Sequence, residues 1–218
     1  MQAKIIVTGG AGYIGSHTCV ELVAAGYEPV IIDNFSNSEH YMVDRINELT
    51  NREIKVYEGD CTDIDLLQKV FSETDNLTGV IHFAAFKAVG ESSEQPLKYY
   101  ENNLVSTINL LKVMQEYAVQ ALVFSSSCTV YGQPDVLPVT EETSLKPAES
   151  PYGRTKQMCE DIIRDYYKSG AHIKAISLRY FNPIGAHPST RIGELPKGVP
   201  NNLIPFITQT AAGLREKL

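Results

Sequence analysis

The chain has 218 residues, 43% of them hydrophobic, and its 19 Lys plus Arg against 26 Asp plus Glu give a net charge of −7. That length supports one sizeable α/β domain and little more, and the acidic balance argues against a nucleic-acid surface, whose phosphates would be repelled. No apolar run approaches membrane-span length and the N-terminus enters a strand without a leader, so a cytoplasmic protein with no membrane contact is expected.

Residues 4–15 read KIIVTGGAGYIG. Ile5, Ile6 and Val7 have the unbroken apolar character of a strand buried on both faces. Gly9, Gly12 and Gly15 then lead through a tight turn into a helix, and the spacing reads as Gly10-x-Gly12-x-x-Gly15 or Gly9-x-x-Gly12-x-x-Gly15. Bare glycine backbone can approach a pyrophosphate, and a helix N-terminus supplies N–H donors and the positive end of a dipole. The preceding strand, the following helix and a later acid make a dinucleotide site the expectation over an unliganded turn.

A helix over residues 16–25 is closed by Gly26, and a strand over 29–32 ends on Asp33. Asp33 lies 18 residues past Gly15, where a carboxylate can accept both adenosine ribose hydroxyls. It would repel a 2′-phosphate, and residues 34–37 offer no arginine to bind one, so NAD is expected rather than NADP. Residues 39–50 look helical and 54–57 form a third strand. The Asp60 carboxylate after it suits either an adenine amino group or a turn. A helix over 64–71 and a strand over 79–83 follow, with His82 read as a core histidine. Residues 84–92 form a loop of small residues at a strand's carboxyl end, where Lys87 is placed to meet a cofactor.

A long helix is expected over residues 97–117, with Leu104, Ile108, Leu111 and Met114 on an apolar face that either packs on the sheet or pairs with a second copy. A strand over 121–124 ends in Ser125-Ser126-Ser127, as turn chemistry or as a hydroxyl offered to a substrate. Residues 133–150, rich in Pro, Glu and Ser, read as a loop. Ser150 as N-cap and Pro151 at the first position then open a helix. Tyr152 and Lys156 are four apart and share one face of it. Lowering a tyrosine pKa from about 10 to about 7 takes roughly 4 kcal/mol of preferential phenolate stabilisation. A neighbouring ammonium and a cationic nicotinamide ring would supply much of that. A sixth strand over 173–178, a Pro- and Asn-rich loop and a helix over 204–212 finish the chain. The strands form a doubly wound, mostly parallel α/β sheet in the order 3-2-1-4-5-6. The four cysteines (Cys19, Cys61, Cys128, Cys159) and five histidines lack ligand spacing, so reduced thiols and no metal are expected.

The chain resembles the extended short-chain dehydrogenase/reductase family, and within it the epimerases acting at C4 of UDP-sugars. The resemblance rests on residues 8–17 (TGGAGYIGSH), 87–92 (KAVGES), 124–127 (FSSS), 129–132 (TVYG), 151–153 (PYG) with Lys156, 178–188 (LRYFNPIGAHP) and 200–203 (PNNL). It implies interconversion of UDP-galactose and UDP-glucose through a 4-keto sugar, with a tightly held NAD reduced and reoxidised in each turnover. Tyr152 would transfer the proton, Ser127 would hydrogen-bond the 4-oxygen, and Lys156 would bind the nicotinamide ribose and depress the tyrosine pKa. Gly9, Gly12, Tyr13, Ile14, Gly15, Asp33, Asn34, Asp60, Lys87 and Asn102 would serve the cofactor alongside Tyr152 and Lys156. Lys87, Ser127, Tyr152, Phe181, Asn182, Asn201, Asn202 and Leu203 would meet the UDP-sugar.

The family continues well past position 218, so the resemblance divides the chain into an NAD domain, 1–180, and the beginning of a substrate domain, 181–218, expected to be mobile or to borrow a partner chain. A homodimer through helices of the NAD domain is a further expectation. Ala85-Phe86 stands where the family more often has Gly-Leu, and Cys128 where Ala is common. Two other readings stand beside the epimerase: a nucleotide-sugar 4,6-dehydratase, and a non-catalytic NAD-binding fragment or regulatory module.

Overall fold

The computed structural model of the chain describes residues 2–200 and 202–217. Strands and helices alternate from the start: β1 (Lys4–Thr8), α1 (Tyr13–Ala24), β2 (Glu28–Asp33), α2 (Tyr41–Thr50), β3 (Lys55–Glu58), α3 (Ile64–Ser72) and β4 (Leu77–His82). They continue as α4 (Val89–Glu94), α5 (Pro96–Glu116), β5 (Ala121–Ser127), a 3₁₀ turn over Cys128–Tyr131, α6 (Pro151–Lys168), β6 (Lys174–Tyr180) and α7 (Leu203–Ala211). The six strands lie in the order β3-β2-β1-β4-β5-β6, and every pairing is parallel. This is the doubly wound order expected from the sequence.

Side-chain alternation along the strands divides the core into two layers. Ile6, Val30, Ile32, Val80, Leu122 and Phe124 meet Leu67, Val70 and Phe71 of α3, Leu110 and Met114 of α5, and Cys159 and Ile163 of α6. On the opposite face Val7 and Ile31 meet Cys19 of α1 and Ile46 of α2. That second layer stops short. Ile176 of β6, in register with Val123 and Ile81, is 61% exposed, because α1 and α2 cover only the β1–β2 side.

Several expectations shift, among them the strand over 121–124, which runs on through the three serines to Ser127 because they pair with β6. Residues 84–92 are not all loop: α4 begins at Val89, and its Glu91 accepts hydrogen bonds from Lys98 Nζ and Tyr99 Oη, both at 2.6 Å. The buried face of α5 is more polar than Leu104, Ile108, Leu111 and Met114 suggested. Asn103, Ser106, Thr107 and Asn109 are buried with Leu110 and Leu111, whereas Leu104 and Ile108 are half-buried. α1 starts three residues earlier than residue 16, since Gly12 serves as its N-cap and the whole first turn is helical. Among the described residues no helix is long and apolar enough to cross a membrane.

The start of α6 is locally determined. Ser150 is buried, and its Oγ accepts the Gly153 N–H at 3.1 Å, with Pro151 at the first helical position. Ser150→Ala should lower unfolding stability by about 1 kcal/mol. Urea denaturation of the two chains side by side measures it, and an unchanged midpoint would mean that packing alone starts this helix.

Candidate active site

At the carboxyl end of β1 the backbone turns at Gly9, whose φ of +68° and close approach to Ala84 N exclude a side chain. A Cβ on Gly15 would overlap the Gly9 carbonyl oxygen, so helix and turn touch backbone to backbone. No side chain caps α1, and no acidic residue lies in its first turn. The amides of Tyr13, Ile14 and Gly15 thus head a helix whose positive end is open to an anion. Asp33, at the tip of β2, is 7% exposed; its carboxylate accepts from Ala11 N and Phe35 N at 2.9 Å and from Ser38 Oγ at 2.8 Å. It ties the glycine turn to the end of the neighbouring strand. Beside it Asn34 Nδ2 donates to Asp60 Oδ2 at 2.7 Å. Burial opposes ionisation of Asp60, but hydrogen bonds from Thr62 and Asn34 outweigh it and hold the pKa below its ordinary value.

The second half of the site lies where β5 ends and α6 begins. Ser127 and Tyr152 are buried at 7% and 9% exposure, and Lys156 at 4%. Ser127 Oγ accepts from Thr129 N at 3.2 Å and Thr129 Oγ1 at 3.0 Å, so its own proton is left to donate. Burial pushes the Tyr152 phenol above its ordinary value, the Ser127 hydroxyl pulls the other way, and Cys128 adds to the rise. Lys156, four residues further along α6, has partners of its own. Its ammonium donates to the Ser125 carbonyl at 2.8 Å and sits 4.9 Å from the centre of the Phe124 ring. Burial brings its pKa down to about 8, with Cys159 and Glu160 opposing the shift. For Tyr152, burial thus favours the protonated phenol.

The remaining predicted residues divide. Asn102 Nδ2 donates to Asn103 Oδ1, and Asn103 holds both the N–H and C=O of Phe86 and Thr155 Oγ1, joining the loop after β4 to α5 and α6. Lys87 is exposed on that loop. Phe181 and Asn182 are exposed just after β6; Asn202 donates to Glu194, and Leu203 is exposed at the start of α7. Asn201 lies outside the described residues. His82 is a core histidine as expected, bonded to Thr8 Oγ1 at 2.7 Å and pushed by burial to a pKa of about 3. Among the described residues no cluster of His, Cys, Asp and Glu could hold a metal. Asn103 and Glu160 escaped the sequence reading; a buried Asn or Glu inside a helix looks like a solvated one until the packing is known.

The family described as GDP-mannose 4,6 dehydratase matches residues 6–218. The chain belongs to this family. It is 53% identical over 212 residues to a UDP-glucose 4-epimerase of Dictyostelium discoideum, covering 97% of this chain and 61% of that protein. The crystal structure of a UDP-glucose 4-epimerase from Bifidobacterium longum in complex with NAD+ and UDP superposes with a TM-score of 0.94 at 46% identity, over 97% of this chain and 63% of the other. A UDP-glucose 4-epimerase from Stenotrophomonas maltophila, with bound NAD and formylated UDP-arabinopyranose, gives 0.95 at 46% identity, over 100% and 64%. The chain thus spans less than two thirds of the length of the relatives it matches. The family resemblance read from the sequence holds.

The buried ammonium makes stability depend on pH. The folded pKa of Lys156 is about 8 against 10.5 for a free lysine, so between those values the unfolded chain binds more protons at this site. The cost of burying the charge is fully present below pH 8 and is relieved as pH rises towards 10.5. Wild-type stability relative to Lys156→Met should therefore increase across that window, other titrating groups being common to both chains. Parallel chemical denaturations over the range measure it; a flat difference would mean that the ammonium is solvated.

Proposed function

We propose that this chain carries the NAD site and the proton-transfer group of an enzyme that interconverts UDP-galactose and UDP-glucose at C4. The observation that carries the reading is the burial of Tyr152 next to Ser127 at the carboxyl end of β5, with Lys156 one helical turn further along α6. The uncapped first turn of α1, the bare backbone of Gly9, Gly12 and Gly15, and the Asp33 carboxylate fit a dinucleotide. Tyr13, Ile14, Asn34, Asp60, Lys87 and Asn102 complete the proposed cofactor contacts. The epimerase names of the relatives and their complexes with NAD and UDP support the same assignment.

NAD, when bound, supplies reversible hydride transfer at the sugar C4. Tyr152 takes the proton of the 4-hydroxyl and returns it after the keto sugar has turned over. Ser127, its oxygen already engaged by Thr129, directs its hydrogen at the 4-oxygen. Burial favours the protonated Tyr152 phenol, and the positive charge of bound NAD+ together with the Lys156 ammonium would lower its pKa towards neutrality. Lys156 would hold the nicotinamide ribose through its ammonium. Phe181, Asn182, Asn202 and Leu203, with Lys87, contact the UDP-sugar; Asn201 is assigned with them on its sequence block alone.

Residues 1–180 act as the NAD domain and 181–218 as the start of the substrate domain, a division supported by the end of the sheet at Tyr180. The homodimer through helices of this domain would use α5 and α6, on which half-buried Leu104, Ile162 and Tyr166 already pack in part against the core. The free thiols of all four cysteines suit a cytoplasmic setting. A 4,6-dehydratase is the second reading, in view of the family's description, but eliminating water needs an acid beside the strand tip, and positions 128 and 129 hold Cys and Thr.

Purified chain incubated with UDP-galactose, without added cofactor, should yield UDP-glucose. A 4-keto-6-deoxy sugar would favour the dehydratase, and no product despite bound NAD would leave a cofactor-binding module. Tyr152→Phe should keep NAD affinity while slowing turnover by on the order of 10²–10⁴; a near-normal rate would remove Tyr152 from the mechanism. Titration with both dinucleotides should favour NAD, since Asp33 repels a 2′-phosphate, and equal or tighter NADP binding would overturn that assignment.

A further inference from the structure

Along one face of α6, Tyr152, Lys156 and Glu160 recur every four residues, and all three engage the serine run that ends β5. Tyr152 lies by the Ser127 hydroxyl, Lys156 donates to the Ser125 carbonyl at 2.8 Å, and Glu160 accepts from Ser126 Oγ at 2.5 Å. The third rung is the most deeply partnered. Glu160 is 5% exposed, and Arg179 Nε and Nη2 grip its two carboxylate oxygens at 3.0 and 2.8 Å. Arg179 stands on β6 directly opposite Ser126 in the parallel ladder, and its guanidinium lies 4.8 Å from the centre of the Tyr131 ring. One carboxylate thus joins the helix, the two last strands and the turn that follows β5.

We propose that Glu160 is a positioning residue for the Tyr152–Lys156 pair, fixing with Arg179 and Ser126 the height of α6 above the end of β5. This rests on the function proposed above. A two-pronged guanidinium–carboxylate contact sets distance and orientation together, which a single hydrogen bond does not. Placement of reacting groups tolerates only about 0.5 Å of error. Glu160 also acts on Lys156 through space: facing that ammonium are Cys159 and Glu160 of α6, His82 of β4, and the Phe124 ring and Ser125 carbonyl of β5. Of these, Cys159 and the Glu160 carboxylate oppose the effect of burial on Lys156, and Glu160 is the one held in an ion pair, by Arg179.

The test uses the full chain and three variants. Glu160→Gln should lower kcat for UDP-galactose by ~10–100-fold with KM unchanged, and should move the Lys156 titration midpoint, followed by Nζ NMR, below that of the wild type. Ser126→Ala, which leaves the ion pair in place, should lower kcat by less. Replacing the pair with apolar groups, Glu160→Met with Arg179→Leu, should restore the melting temperature lost in Glu160→Gln, because buried ion pairs contribute little net stability. It should restore neither kcat nor the Lys156 midpoint. Recovery of kcat together with stability, or an unmoved midpoint in Glu160→Gln, would overturn the proposal. Absence of turnover in the wild type counts against the epimerase reading alone, and the Lys156 titration then decides the role of Glu160.

Discussion

Docking α6 onto the end of β5 takes two opposite charges out of water within one helical turn, and the chemistry of the site hangs on how each is compensated. Lys156 is satisfied by a carbonyl and an aromatic face, Glu160 by an arginine fork and a hydroxyl. Desolvation of such groups costs several kcal/mol per ion, and the pairing returns about that much, so little net stability results. What results is geometry. A helix held at several points along one face, each with a distinct partner, cannot slide or rotate against the strand without breaking them all.

The nucleotide end of the cleft is built differently. Its parts come from consecutive strand ends whose positions the parallel ladder sets: Gly9 after β1, Asp33 as the last residue of β2, Asp60 after β3. Each is a short-range solution to the same local problem, the turn from a buried strand into a helix. Asp33 is the knot among them, since its carboxylate holds the glycine turn of the neighbouring strand as well as its own loop. A dinucleotide lying across this edge would meet backbone amides at one end and the α6 ladder at the other.

The segment after β6 is attached mainly at its near end. Tyr13 Oη donates to the Gly185 carbonyl at 2.7 Å, and Ile192 is buried at 2% exposure. Arg191 pairs with Glu48, and Lys197 with Glu39, all substantially exposed. Exposed pairs of this kind contribute ~0–1 kcal/mol each, so the apolar anchor and the tyrosine hold this segment more than its charges do. Ile176 and Leu178 of β6 remain exposed on the face that α1 and α2 do not reach.

The order of the elements, the strand order of the sheet and the glycine turn with Asp33 were legible in the sequence because each depends on local pattern: apolar runs, a turn, a strand that ends on an acid. The proposed set of Ser127, Tyr152 and Lys156 likewise came from a strand end and a spacing of four on a helix. The family was legible too. Other features depended on which faces meet. Asn103 and Glu160 are polar residues in helices, indistinguishable from solvated ones until α5 and α6 are packed against β5. The sequence by itself determined that Tyr152 and Lys156 share a face of one helix. Only the tertiary structure decided that Lys156 donates to the Ser125 carbonyl, and that the Tyr152 pKa is raised and the Lys156 pKa lowered, because their first cause, burial, is a property of the assembled core.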